Sequence, residues 1–160
     1  MLHLYSNKLS GPLPPELGKL SRLVELRLWD NQLTGSLPEG YSQLSKLKVL
    51  HLASNQLTGQ ISPGFLMGMT SLEYIFLNDN KLSGEVPVSS LAALPEIKSI
   101  YLSNNAFDDV EMASNQLLQA CKSTRGGGGK AVEVDMLNQG LLYYGTEYPS
   151  AQKGAIHGNF

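Results

Sequence analysis

A six-residue motif returns five times along the chain: an apolar residue, any residue, leucine, two further residues and asparagine. The copies occupy residues 2–7, 26–31, 50–55, 75–80 and 100–105. Their closing asparagines are separated by 24, 24, 25 and 25 residues. A motif that recurs at one spacing marks a repeat protein, whose units must stack because one unit cannot bury its own apolar residues.

Each copy has the alternation of a β-strand. Its two apolar residues point to one side of the strand, and the residue between them points to the other. The connection that follows each copy is long enough to return the chain to the same edge, so successive strands run parallel. The sequence therefore predicts a parallel β-sheet with the core on one face, built at about 4.8 Å per strand.

The closing asparagine has two interpretations. Its amide can turn inward and donate to backbone carbonyls left unpaired at the bend, or it can be a surface turn residue, which tolerates left-handed backbone. The fixed recurrence favours the first. We call these five residues the Asn ladder: Asn7, Asn31, Asn55, Asn80 and Asn105.

A second pattern follows the first four copies, as Leu-Ser/Thr-Gly and then proline, in residues 9–14, 33–38, 57–63 and 82–87. With it the chain resembles the plant-type leucine-rich-repeat family, whose pattern is Leu-x-x-Leu-x-Leu-x-x-Asn-x-Leu-x-Gly-x-Ile-Pro. The resemblance covers residues 1–107, as five repeats. It implies an α/β solenoid, a right-handed superhelix with a concave parallel sheet, and a protein- or peptide-binding role. Many family members are ectodomains of receptor kinases or receptor-like proteins.

Some positions depart from the family pattern. Ser62 stands where proline is expected, and the fifth repeat lacks the glycine and proline. The sequence also lacks the family's paired-cysteine caps and the kinase signatures. A receptor-kinase interpretation therefore concerns a parent molecule and not the chemistry of this chain.

The two ends of the chain differ. Met1 already lies within a repeat, so we expect a fragment of a longer array or another element over that end. We predict that residues 108–144 form an irregular capping repeat of helix, glycine-rich loop and strand. Residues 145–160 are predicted to form a polar tail. The helix is predicted from apolar residues at helical spacing: Val110, Ala113, Leu117 and Cys121. The strand is predicted from the alternation in residues 131–136.

The sheet face opposite the core is the candidate binding site. It is predicted to expose aromatic, histidine and arginine side chains, which are typical interface anchors: His3, Tyr5, Arg27, Trp29, His51, Tyr74, Phe76 and Tyr101. The alternatives are a stacked series of rings that only stabilises the sheet, or burial against a missing neighbour.

Charge narrows the class of partner. The net charge is −2, which gives no reason to expect nucleic acid. Charges of both signs near the face favour a protein or peptide: Glu25, Arg27, Asp30, Lys48, Glu73, Asp79 and Lys98. The predicted function is a non-catalytic protein- or peptide-binding module, acting as a monomer or as a fragment of a longer chain. The alternatives are a structural spacer within a longer array, and glycan binding, since Trp and Tyr also stack on sugars.

Enzymatic, metal and cofactor roles are not expected. His3 and His51 lie two strands apart, about 10 Å, too far to share a metal ion, and His157 lies in the tail. The glycine run before Lys130 lacks the final Ser/Thr of a phosphate loop, and Cys121 is expected to be a core residue. No apolar stretch is long enough to insert into a membrane. The resemblance suggests the cell surface, whereas the absence of a signal peptide and sequons leaves the cytoplasm open.

Overall fold

A computed structural model describes residues 1–124 and 132–136 of the chain. Within them the chain forms short strands and short helical segments that alternate. The strands are β1 (Leu2–His3), β2 (Ser10–Pro12), β3 (Glu25–Arg27), β4 (Gln32–Thr34), β5 (Val49–His51), β6 (Thr58–Gly59), β7 (Tyr74–Phe76), β8 (Lys81–Gly84), β9 (Ser99–Tyr101), β10 (Ala106–Phe107) and β11 (Glu133–Asp135).

The odd-numbered strands form one six-stranded parallel sheet in the order β1-β3-β5-β7-β9-β11. The motif sets the register, since Leu26 lies opposite Leu2 and Leu50, and Ile100 lies opposite Ile75 and Val134. The even-numbered strands pair separately, as β2-β4 and as β6-β8-β10. The α/β leucine-rich-repeat solenoid with a parallel sheet is confirmed, and the sixth strand is β11.

The return segments lie opposite the sheet. They are two 3-10 turns (Pro15–Lys19 and Glu39–Gln43) and the helices α1 (Pro63–Leu66), α2 (Val88–Ala92) and α3 (Val110–Thr124). Ser62, which replaces the expected proline, caps α1: its side chain accepts a hydrogen bond from the backbone N–H of Phe65 at 3.1 Å. A serine at the N-cap accepts a hydrogen bond from a backbone N–H of the first turn, so the helix still begins here although the proline is replaced.

One core of leucine and isoleucine side chains runs between the sheet and the return segments. Leu26, Leu50, Ile75 and Ile100 are fully buried in it. At the last repeat the core is closed by α3, through Ala113, Leu117 and Cys121. At the first repeat the side chains equivalent to buried leucines elsewhere are exposed: Leu4, Leu9 and Leu20.

The asparagine side chains bridge successive repeats. Asn55 Nδ2 donates to Leu52 O and Ala53 O in its own bend and to Leu28 O in the preceding repeat. Its Oδ1 accepts from the backbone N–H of Leu33. Asn31, Asn80 and Asn105 repeat this arrangement, whereas Asn7 is exposed and its side-chain amide donates within its own bend.

Left-handed backbone occurs one residue before the ladder asparagine. Ser6, Asp30, Ser54, Asp79 and Asn104 have φ values between 52° and 56°. Short polar residues tolerate this conformation better than other non-glycine residues. The surface turn with left-handed backbone is therefore formed by the residue before each asparagine and not by the asparagine itself. The glycine-rich loop, residues 137–144 of the predicted cap, the tail and His157 lie outside the described residues.

Candidate ligand-binding face

The open face is the side of the six-stranded sheet that points away from the core. The parallel register aligns the last residues of the strands in one column: His3, Arg27, His51, Phe76 and Tyr101. The column two residues earlier contains Glu25, Val49, Tyr74 and Ser99. All eight residues predicted for the site lie on this face, because side-chain alternation and a constant register leave only one arrangement.

Five of these side chains stack into a continuous series across the strands, which we call the aromatic ladder: Tyr5, Trp29, His51, Phe76 and Tyr101. Successive ring centroids lie 4.9, 5.6, 4.6 and 5.0 Å apart. The Tyr5 and Trp29 rings are nearly parallel, at 7°. Tyr74 lies beside the ladder, with its ring centroid 6.4 Å from that of Phe76.

Exposure changes along the aromatic ladder. Tyr5 is 44% exposed and Trp29 is half-buried, but Phe76 and Tyr101 are only 5% and 6% exposed. The prediction that Phe76 and Tyr101 face solvent is therefore wrong. Side chains on strands about 4.8 Å apart cover one another, and here Val49, Ala53 and the neighbouring rings bury both. The solvent-exposed part of the aromatic ladder is its N-terminal half.

Ion pairs flank the ladder. Glu25 Oε2 accepts hydrogen bonds from His3 Nε2 at 2.9 Å and from Arg27 Nε at 3.0 Å. Burial alone would raise the pKa of Glu25, but its bonds to Arg27 and His3 outweigh burial and lower it. At the edge where the strands begin, Glu73 pairs with both Lys48 and Lys98. The Lys98 Nζ also lies 5.7 Å from the centre of the Tyr74 ring.

His51 is held uncharged. Burial, followed by the nearby positive charge of Arg27, lowers the pKa of His51 to about 3. Its Nδ1 is buried and has no hydrogen-bond partner among the described residues. The middle of the open face is therefore a neutral imidazole that stacks on Trp29 and contacts the tilted ring of Phe76.

Two acidic residues on the open face were not among the predicted site residues. Ser99 Oγ donates to Glu133 at 3.2 Å, and Ser103 Oγ donates to Asp135 at 2.9 Å. The signal was present in the sequence, because the alternation in residues 131–136 places Glu133 and Asp135 on the same face of β11. They extend the face by one strand beyond Tyr101.

The described part of the chain holds no group of three or more His, Cys, Asp or Glu side chains arranged to bind a metal ion. Over the same residues, none of the helices combines the length and hydrophobicity that crossing a membrane requires.

Known proteins were compared with the chain in sequence and structure. A leucine-rich-repeat family model matches residues 21–82, and a second one matches residues 1–20. No curated protein matches the chain in sequence. Among solved structures, the TDR receptor is 45% identical with a TM-score of 0.63, and the match covers 66% of this chain and 18% of that chain.

Two further structures extend the comparison. The plant peptide hormone receptor RGFR1, solved in complex with RGF2, is 36% identical with a TM-score of 0.64, over 66% of this chain and 17% of that one. The ectodomain of the receptor kinase SOBIR1 from Arabidopsis thaliana is 28% identical with a TM-score of 0.70, and the match covers 86% of this chain and 67% of that chain. The chain thus spans less than a fifth of the length of the first two receptors. The repeat, the parallel sheet and these matches agree, and the chain belongs to the leucine-rich-repeat family.

Proposed function

We propose that the chain is a non-catalytic module that binds a protein or peptide segment across the N-terminal half of its open face. The observation that carries this proposal is the exposed start of the aromatic ladder, where Tyr5 and Trp29 stack at 4.9 Å. Exposed, rigid aromatic side chains supply large contact areas at low entropic cost, which is why they are frequent interface anchors.

The surroundings of Tyr5 and Trp29 favour a peptide. A hydrogen-bonded cluster of Arg27, Glu25 and His3 lies beside the two rings. Hydrogen-bond donors and acceptors are therefore available next to an apolar surface. Such a mixed surface suits a polypeptide, which carries donors, acceptors and apolar side chains. The similarity to peptide hormone receptors, including one solved with the peptide hormone IDA and the co-receptor SERK1, supports the same class of partner.

The test is selection from a random peptide library. The chain is immobilised, retained peptides are synthesised, and their affinities are measured for wild type and for Tyr5→Ala and Trp29→Ala. Each variant should lose about 1–4 kcal/mol of binding free energy, as central aromatic anchors do.

The matched control is Met67→Ala, an exposed residue at the end of α1 on the opposite side of the solenoid. It should leave affinity unchanged, and all three variants should melt like wild type by circular dichroism. If no peptide is retained, or if retained peptides bind both ring variants as tightly as wild type, the proposal is wrong.

A structural spacer is the second candidate function. The exposed Leu4, Leu9 and Leu20 occupy positions that later repeats bury against the preceding repeat, so this end can stack against a further repeat. Under this alternative the chain extends a longer array and holds no ligand. It predicts that no library peptide depends on Trp29.

A further inference from the structure

His51 lies in the middle of the aromatic ladder and carries two ring nitrogens, only one of which is buried without a partner among the described residues. Its ring lies 5.6 Å from Trp29 and 4.6 Å from Phe76, between their centroids. Its Nδ1 is buried without a partner among the described residues. Nε2 is not among the buried atoms without a partner, so it is the ring nitrogen that a ligand on the open face can reach.

The position of the proton follows from this arrangement. A proton on the buried Nδ1 would have no acceptor, whereas a proton on Nε2 can donate to water or to a ligand. The strands on either side of β5 carry titratable groups: Arg27 and Glu25 on β3, with His3 bonded to Glu25, and Tyr74 on β7, preceded by Glu73, which pairs with Lys48 and Lys98. Of these groups, Arg27 is the one directly opposite His51 in the register. Burial and Arg27 lower the pKa of His51 to about 3, so the neutral ring persists through the physiological range.

The neighbours of His51 also select the kind of acceptor. Arg27 is already ion-paired with Glu25, and the His51 ring packs between the rings of Trp29 and Phe76. A ligand carboxylate placed here would lose its hydration and would have to compete with Glu25 for the charge of Arg27. An amide carbonyl is far cheaper to desolvate and needs only one donor.

We propose that His51 determines the specificity of the open face: its Nε2–H donates to a main-chain carbonyl of an extended peptide segment that is uncharged where it crosses the aromatic ladder. This inference rests on the proposed function and adds the chemistry of the bound segment. His51 is the donor, and the rings of Trp29 and Phe76 hold it in place.

The first experiment needs no ligand. Long-range 1H–15N spectra distinguish the two neutral tautomers of histidine from the charged form, and the His51 signals are identified by their loss in His51→Phe. From about pH 5 to about pH 8, where an ordinary histidine gains its charge, His51 should stay neutral with its proton on Nε2. A proton on Nδ1, or a charged ring at about pH 6, would overturn the proposal.

The second experiment uses a peptide retained by the wild-type chain. Each amide bond in turn is replaced by an ester, which weakens the carbonyl as an acceptor and removes one N–H. One ester should weaken binding to wild type by about 3- to 10-fold more than binding to His51→Phe, the range expected for one hydrogen bond. The comparison isolates the carbonyl, because the lost N–H affects both proteins equally.

The outcomes separate the two proposals. Peptides that depend on Trp29 but show the same ester effects in wild type and His51→Phe would overturn the role of His51 and leave the proposed function standing. Peptides that all place Asp, Glu or the C-terminal carboxylate against His51 would also overturn it. Failure to retain any peptide would overturn the proposed function and this inference with it.

Discussion

At the scale of the residue, the asparagine that closes each motif replaces hydrogen-bond partners that the bend removes. Asn55 makes three donor contacts, at 3.0–3.2 Å, and accepts one at 3.0 Å. Two of these bonds reach the preceding repeat. A single buried amide therefore both completes its own bend and joins two repeats, which explains why it recurs at this position.

Replacing Asn55 by alanine should lower the free energy of unfolding by about 1–3 kcal/mol, because buried backbone groups lose their partners. The measurement is urea denaturation. Asn7→Ala is the matched control: Asn7 is exposed and its side chain makes two hydrogen bonds, both within its own bend, so water can replace them and the loss should be below about 1 kcal/mol. Equal losses in the two variants would contradict this account of the Asn ladder.

At the scale of the element, the return segments pack closely enough to require glycine at Gly18. A Cβ atom on Gly18, in the first 3-10 turn, would lie 2.2 Å from the carbonyl oxygen of Gly40 in the second. The oxygen belongs to the backbone and the position of a Cβ is fixed by the backbone, so the clash could be relieved only by separating the two turns. Gly40 is different, since a Cβ there would come no closer than 3.4 Å to Pro15 O.

Gly18→Ala should therefore destabilise the protein by about 2 kcal/mol or more, as overpacking against fixed atoms does. Gly40→Ala, which adds the same methyl group in the adjacent turn, should cost less than about 1 kcal/mol. Thermal melts followed by circular dichroism would compare them. If the Gly40 variant were the less stable of the two, the close approach of the turns would be wrong.

The strands β5, β7 and β9 are also joined at their beginnings by the ion pairs of Glu73 with Lys48 and Lys98. Burial alone would raise the pKa of Glu73, but its bonds to Lys98 and Lys48 outweigh burial and lower it. The stabilisation from a carboxylate with a lowered pKa is complete above its unfolded pKa and is lost as the pH falls through its folded pKa.

Wild type should consequently lose more stability than Glu73→Gln when the pH is lowered from about 5 to about 3, the range in which carboxylates titrate. The amide of the variant cannot ionise, so this part of the pH dependence disappears. Urea midpoints measured at several pH values would show it. If the urea midpoints of the two proteins changed with pH in the same way, the cluster of Glu73, Lys48 and Lys98 would not contribute to the pH dependence of stability.

At the scale of the whole molecule, stability is carried by contacts between adjacent repeats, as in other solenoids. The ends of the described chain are unequal. The first repeat exposes three core leucines, while the last is covered by α3, whose Leu117 is fully buried. Opening of the structure should therefore start at the first repeat.

Hydrogen exchange followed by mass spectrometry tests this expectation. Amides of β1 and β2 should exchange at least about 10-fold faster than those of β5 and β7, which have a repeat on both sides. Removing core contact at the other end with Leu117→Ala should speed exchange in β9 and leave β1 unchanged. Uniform protection from β1 to β9 would show that the repeats unfold together instead.

The sequence by itself determined the repeat, the parallel register and the side of the sheet on which each residue lies. These properties follow from local rules, because alternation along a strand and a constant spacing leave few arrangements. For the same reason the members of the candidate site could be named from their columns, and β11 could be predicted from the alternation in residues 131–136.

Only the tertiary structure decided which of those residues a ligand can reach. The exposure of Phe76 and Tyr101 depends on side chains from neighbouring strands, and the close approach of Gly18 depends on a turn in the next repeat. The state of His51 likewise depends on Trp29, Phe76 and Arg27 around it. Burial and desolvation are properties of the stacked repeats together, and no single repeat of this sequence contains them.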